Sequence, residues 1–389
     1  MYKRKSIGIM LLSMVCRGFS TKITNIVFRN NKIKHNNYNQ IKPDFMTKPE
    51  KPVVELPEIM DVDISNNTSQ NTSTITSTNP VIKHIVMAGG GAMGFAFYGA
   101  LKESHQQGKW KQEDIKTIYA TSIGTIMGTI ISLGYDWSVI DNFLIKRPWQ
   151  QVFKFQLPMA FNLITKQGIF DQTTIYEIFL PLFKGKDIPM DICLLDFYHL
   201  TKRDIHFIAT EINTMQIEDI SYKTHPEWKV IDAIYASCCL PFLFSPFYYY
   251  TTGSLEPQKA FMDGGILMNF PLNLCIAEGY DPREILSIRR IKNNTTTEPL
   301  QPNNTMIELS LSLVLKLIEK IEKPPVQLQE IGYLVNIETS VYNLYTYLFN
   351  CIHYEETRRE LINIGVNAVS TERSSTERSS TERSSTERS

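Results

Sequence analysis

His84-Ile-Val-Met-Ala-Gly-Gly-Gly-Ala-Met-Gly94 opens the stretch on which the fold turns. The apolar run His84 to Met87 passes directly into three consecutive glycines, and Phe95 to Gln107 then follows helical spacing. A second apolar run, Ile115 to Ala120, ends in Thr121-Ser-Ile-Gly124, and Ile126 to Leu133 continues as an apolar, small-residue helix. Strand, turn and helix thus occur twice in succession between Ile82 and Gly134, and each turn carries chemistry.

The second turn places a serine between a strand and a helix, with the small residues Ala120 and Gly124 two positions away on either side. That is the pattern of a nucleophile elbow, a turn so tight that larger flanking side chains would strike the neighbouring backbone. It sets Ser122 at a helix N-terminus, where free N–H groups favour developing negative charge. The simpler reading is an ordinary helix-capping serine. The first turn bears on the choice. Gly89, Gly90, Gly91 and Gly94 leave backbone N–H groups unshielded, and such groups can converge on an anion. Beside a nucleophilic serine they would form an oxyanion hole. Gly89-x-Gly-x-x-Gly94 also fits the dinucleotide-binding fingerprint, but that reading needs an acid at the end of the second strand. Thr121 and Ser122 stand there, and the nearest acids, Glu113 and Asp114, precede the strand.

Further along, Ala236-Ser-Cys-Cys-Leu-Pro-Phe-Leu-Phe-Ser-Pro246 leads to Phe261-Met-Asp-Gly-Gly-Ile-Leu-Met-Asn-Phe-Pro271. Alone, Asp263-Gly-Gly265 reads as a turn. Taken together and in order, the glycine loop, the serine elbow, the Ala-Ser-x-x-x-Pro-x-x-Phe-x-Pro stretch and the Asp-Gly-Gly resemble the patatin-like phospholipase family. Gly168-Ile-Phe-Asp171 before a helix is also similar to that family's pattern. The resemblance covers residues 81–290 and extends loosely to 366. It implies a three-layer α/β/α fold with a mostly parallel central sheet, and acyl-ester lipids, phospholipid or glycerolipid, as substrates. It implies a Ser–Asp dyad, with Ser122 as nucleophile and Asp263 as base. Backbone N–H groups of Gly89, Gly90, Gly91 and Gly94 would be the oxyanion donors, and Gly124, Gly264 and Gly265 would support the two turns. One departure is Met93, where the family usually carries Arg or Lys.

The chemistry also follows from the residues themselves. A serine hydroxyl needs a base to take its proton, most often a histidine. Of the seven histidines only His353 follows Asp263, and it falls in a helical stretch rather than on the loop that a Ser–Asp–His order would need. A carboxylate can serve instead if desolvation raises its pKa toward working pH. Asp263 lies among Phe261, Met262, Ile266 and Leu267, which suits that role. The scheme calls for no metal and no cofactor. Two alternatives accompany it: a His353-dependent esterase, and a lipid- or membrane-binding module of the same fold with little turnover.

The remaining chain frames this domain, expected over 81–366. Lys+Arg and Asp+Glu number 40 each, so bulk charge favours neither nucleic acid nor an anionic membrane. Cysteines 16, 193, 238, 239, 275 and 351 have no paired or metal-ligand spacing and read as reduced, which suits an intracellular setting. Met1 to Pro43 lacks acids and holds an apolar run, Ile7 to Cys16, too short to span a membrane. Such a basic leader fits a targeting segment or a basic tail. Asn66 to Asn79 reads as a polar linker. Arg147 to Gly168 crowds Trp149, Phe153, Phe155, Leu157, Pro158, Met159 and Phe161, a packed excursion or a lipid-facing cap. Met306 onward reads helical, as does Leu328 to Ile364, in helices that cover the sheet or dock transiently on a membrane surface. Residues 370–389 repeat Ser-Thr-Glu-Arg-Ser and are expected to lack regular structure.

Overall fold

A computed structural model describes residues 80–154, 165–250, 254, 256–292, 306–321, 328–339 and 344–386. The basic leader, the polar linker and residues Phe155, Leu157, Pro158, Met159 and Phe161 lie outside them.

Strand β1 (His84–Met87) is followed by a 3-10 turn (Gly91–Met93) and helix α1 (Gly94–Gln106). β2 (Thr117–Thr121) runs into α2 (Ile123–Ser132), then a short α3 (Trp137–Asp141). β3 (Gly168–Phe170) precedes α4 (Gln172–Lys184), whose cap Asp171 accepts from the Thr173 amide at 3.1 Å. α5 (Leu194–Thr201), β4 (Asp204–Glu211), β5 (Gln216–Ile220) and α6 (Val230–Cys238) follow. After β6 (Phe242–Phe244), β7 (Phe247–Tyr249) and β8 (Lys259–Asp263) come α7 (Leu272–Ala277) and β9 (Ile285–Lys292). The chain continues through α8 (Met306–Ile321), β10 (Tyr333–Thr339), α9 (Leu344–His353) and α10 (Glu355–Thr386).

The main sheet runs β10-β9-β1-β2-β4-β8-β7, with β5 added to β4. β10, β9, β1, β2 and β4 are mutually parallel, while β5, β8 and β7 join antiparallel. The fold is α/β with a mostly parallel central sheet, as the resemblance implied. Parallel strands are covered on both faces, which is why β1 and β2 are buried along their whole length. On β2 the alternation is direct. Thr121 turns toward the α7 side, its hydroxyl donating to the Met268 carbonyl at 2.9 Å. Ile118 turns the other way, onto α2, where a Cβ at Gly128 would meet its Cγ2 at 2.9 Å.

The registers explain how residues 141 positions apart meet. A strand has two hydrogen-bonding edges, and β5 occupies one edge of β4 from Phe207 to Glu211. β2 pairs β4 up to Thr121↔Ile208, and β8 pairs it from Asp263↔Ala209 onward. Both must therefore share the other edge, approaching head to head with their C-terminal ends abutting. Ser122 ends one and Asp263 the other. Gly264 lies in the seam, where a Cβ would come within 2.0 Å of the Ile208 carbonyl oxygen.

The C-terminal third departs from the sequence expectation. Leu328 to Ile364 is not continuously helical, because Tyr333–Thr339 is an edge strand in parallel register with β9. Val335 and Ile337 are buried, alternating with half-buried Asn336 and exposed Glu338, a period of two. The aromatic-rich stretch that follows, Tyr342 to Phe349, obscures that period in the sequence. α10 begins beyond it and packs closely on α1. A Cβ at Gly365 would lie 1.8 Å from the Ala96 carbonyl oxygen, and one at Gly99 2.1 Å from that of Ile362. Buried Arg358 anchors it by donating to the carbonyls of Ile145 at 2.8 Å and Cys351 at 2.6 Å. The helix continues to Thr386, so most of the five-residue repeat is helical backbone rather than irregular. The repeat contains no Gly or Pro to end a helix, and Glu and Arg favour one.

Candidate active site

Ser122 sits between β2 and α2 with φ 52° and ψ −124°, a left-handed conformation unusual for a side-chain-bearing residue. Such a conformation costs on the order of 1–3 kcal/mol and persists only where neighbours over-determine it. Three do so here. The Ser122 amide donates to Ser237 Oγ at 2.9 Å. Its carbonyl accepts from the Thr125 hydroxyl at 2.6 Å and the Thr125 amide at 2.8 Å. Gly124 lets the turn press onto the end of β1, since a Cβ there would lie 2.9 Å from the carbonyl oxygens of both Met87 and Ala88.

The strained turn presents the Ser122 hydroxyl to Asp263, donating to Oδ2 at 2.6 Å. The other carboxylate oxygen, Oδ1, accepts from the Gly265 amide at 2.8 Å, which fixes the plane of the group. Asp263 is 3% exposed. Burial drives its pKa up to about 6, against the smaller opposing pull of the Ser122 hydroxyl and the Gly265 amide. No Lys, Arg or His among the described residues offsets that burial. Cys238 and Cys239 are buried beside it, their thiols pushed up by burial and by the Asp263 charge.

The glycine loop divides into two roles. Gly89 and Gly94, expected as oxyanion donors, already use their amides: Gly89 donates to the Asn269 carbonyl at 2.9 Å, and Gly94 to those of Gly91 and Ala92. Gly94 instead lets α1 approach the elbow, since a Cβ there would meet Ile123 Cγ1 at 2.3 Å. The amides of Gly90 and Gly91 have no acceptor among the described residues. Gly91 takes φ 55°, which a side chain would resist. Met93, in the position that usually bears a cation, is buried under this loop.

His353 closes α9 with Nδ1 2.9 Å from the Phe349 carbonyl oxygen one turn earlier, and its ring stacks on Phe349. It is surface-exposed and engaged within its own helix. Asp263 is the partner of Ser122. Sequence reasoning missed Ser237, which entered only as a letter in the Ala236–Pro246 motif, and Asn269, whose carbonyl holds Gly89. It also missed a second buried network at the opposite end of β4. There His206 Nδ1 lies 2.8 Å from Asp219 Oδ1 and Nε2 lies 3.3 Å from Asp204 Oδ2, while Lys223 Nζ reaches Asp204 at 2.8 Å. The Asp204-x-His206 spacing on one strand face was a usable signal.

Residues 85–276 match the family model described as patatin-like phospholipase. Among curated proteins the chain is 24% identical over 196 residues to "Probable lipid hydrolase 463L" of Invertebrate iridescent virus 6, covering 50% of this chain and 63% of that one. It is 26% identical over 261 residues to an uncharacterized protein of Acanthamoeba polyphaga mimivirus, covering 56% and 70%. The chain thus spans slightly less than two thirds of the iridescent-virus relative's length. Among solved structures it is similar to VipD from Legionella pneumophila, with TM-score 0.40, 16% identity and coverage of 73% and 67%. The type III effector protein ExoU gives 0.36, 12%, 75% and 53%. Both TM-scores are low, and the sequence matches carry the assignment. With the glycine loop, serine elbow and Asp-Gly-Gly turn all inside the matched region, residues 85–276 form a patatin-like phospholipase domain.

Proposed function

We propose that this chain is a lipid acyl hydrolase of the phospholipase type, working through a Ser122–Asp263 dyad. The observation that carries this is the 2.6 Å hydrogen bond from the Ser122 hydroxyl, on a strained elbow, to a buried carboxylate with no neighbouring cation. In the reaction Ser122 Oγ attacks the ester carbonyl carbon as Asp263 Oδ2 takes the hydroxyl proton. The carbonyl oxygen becomes an oxyanion, held by the free amides of Gly90 and Gly91. The tetrahedral adduct collapses, the C–O bond to the leaving alcohol breaks, and Asp263 returns the proton to that oxygen. Water, deprotonated by the same carboxylate, attacks the acyl-serine; the acyl–Oγ bond breaks, Asp263 returns the proton to Ser122 Oγ, and the fatty acid leaves. Asp263 is suited to both directions because its pKa of about 6 lies close to a neutral working pH.

Contact with a lipid surface has support outside the dyad. α8 packs near the Gly264–Ile266 turn that follows the base. Its outer face leaves Met306 75%, Leu309 42%, Leu313 56% and Leu317 50% exposed. Lys316 and Lys320 share that exposed face. Large apolar side chains with lysines among them suit the boundary between acyl chains and phosphate headgroups. No helix among the described residues is long and apolar enough to cross a membrane.

The test is fatty-acid release from phospholipid vesicles and triglyceride emulsions, with wild type and Ser122→Ala side by side. Release by wild type alone is expected, with the preferred lipid giving the greater rate. Equal release from both proteins would remove Ser122 from the mechanism. Vesicle flotation without release would leave a binding module.

A further inference from the structure

The last turn of α6 touches both halves of the candidate dyad. Ser237 Oγ accepts the Ser122 amide at 2.9 Å and donates its own proton to the Ile208 carbonyl at 2.6 Å. Two residues later, the Cys239 carbonyl accepts the Asp263 amide at 3.1 Å. Between them, Cys238 Sγ lies 3.4 Å from Thr125 Oγ1, the hydroxyl that bonds the Ser122 carbonyl. Ser237 and Cys239 are buried completely. β2 and β8 end head to head on β4, and no ladder bond joins one to the other. β4 holds both ends in adjacent register, and this turn adds a direct tie from the Ser122 amide to the Asp263 amide.

We propose that Ser237 is a positioning residue for ester hydrolysis: its hydroxyl pins the Ser122 amide to β4, and the Ser237–Cys239 turn thereby sets the distance between the Ser122 hydroxyl and Asp263. The proposal rests on the dyad reading given above. Ser237 touches neither substrate nor reacting atoms. It acts because Ser122 adopts a conformation its neighbours must impose, and a hydroxyl that both accepts and donates suits the site. Loss of the hydroxyl leaves the Ser122 amide without its partner, and the elbow relaxes toward ordinary φ. The Ser122–Asp263 bond then lengthens. Since that bond holds the Asp263 pKa down, the carboxylate should protonate at a higher pH.

The experiment measures kcat and KM on a soluble short-chain ester from pH 4.5 to 9, together with the rate of serine labelling by a fluorophosphonate. Wild type, Ser237→Ala, Ser237→Thr and Ser122→Ala are compared. For Ser237→Ala the expected result is a fall in kcat and in labelling rate of about 10- to 100-fold. KM should be nearly unchanged, and the acidic limb of the pH–rate profile should move upward. Ser237→Thr, which keeps a hydroxyl, should recover most of the rate. A Ser237→Ala protein that melts lower yet keeps wild-type kcat and the same acidic limb would overturn the proposal, because the hydroxyl would then only stabilise the fold. Should the alanine variant fail to fold, Ser237→Cys fills the space with a poorer acceptor and must show the same upward limb. Activity retained in Ser122→Ala would refute the dyad itself, and positioning with it, whereas an inactive Ser122→Ala beside an unimpaired Ser237→Ala refutes the positioning alone.

Discussion

Two aspartates on neighbouring strands are buried almost equally and held in opposite ways. Asp263, at the end of β8, is 3% exposed, has no cation beside it, and is driven up to about 6 by burial. Asp204, at the start of β4, is 5% exposed. Burial pushes it up too, but His206 and Lys223 outweigh that and hold it below its ordinary value. His206, itself pressed downward by burial, is carried up to about 9 by Asp204 and Asp219 and is cationic at neutral pH. Burial therefore does not make a base. Burial without a counter-charge does, since the carboxylate must then find its stabilisation in a proton. The fold supplies cations at one end of β4 and withholds them at the other.

The comparison breaks most sharply in activity. Ser122→Ala and Asp263→Asn are each expected to lower turnover by at least about 10⁴-fold, while Asp204→Asn should leave turnover per folded molecule unchanged. Single-turnover acyl release on purified, folded variants checks both. An Asp204→Asn protein as inactive as Asp263→Asn would merge the two sites into one function.

The next effect is in stability. His206→Leu removes the cation shared by Asp204 and Asp219, and leaves buried Asp204 with Lys223 alone and half-buried Asp219 without the imidazole. A loss of about 3–5 kcal/mol is expected, read from urea denaturation at pH 7. The pH dependence follows from its sign. The folded pKa of about 9 exceeds the ordinary 6.5, so His206 contributes stability below pH 6.5 that fades as pH rises through 9. Wild type should lose stability across that window, and His206→Leu should not.

The smallest effect runs the other way at Asp263. Its folded pKa is raised, so its favourable contribution is complete below the ordinary 3.8 and is lost as pH climbs through about 6. With Asp263 as the proposed base, activity should rise over that same interval. Asp263→Asn should then be more stable than wild type at pH 7–8 by about 2–3 kcal/mol, with the gap closing near pH 4. Calorimetry at the two pH values decides it. An Asn variant less stable at pH 8 would mean that the charge is compensated after all.

Local chemistry is legible in the amino-acid order itself. A glycine run after an apolar strand, a serine flanked by small residues and an Asp-Gly-Gly after an apolar run each announce themselves through steric demands that act within a few residues. β1, β2, β4 and the capped helix after Asp171 can be read the same way, because burial on both faces or strict alternation leaves a run in the chain. Tyr333–Thr339 cannot, since it runs almost directly into the aromatic-rich stretch Tyr342 to Phe349, whose spacing suits a helix. Tertiary structure alone decides which glycine amides are free, because Gly89 and Gly94 lose theirs to Asn269 and to the helix start. It alone sets β2 and β8 head to head on β4, and gives Ser237 its two bonds, to the Ser122 amide and the Ile208 carbonyl. The physical reason is range. Turn sterics and strand burial are written in neighbouring residues, whereas a hydrogen-bond partner 141 positions away, and the desolvation that moves an aspartate to about 6, exist only once distant segments have displaced the water between them.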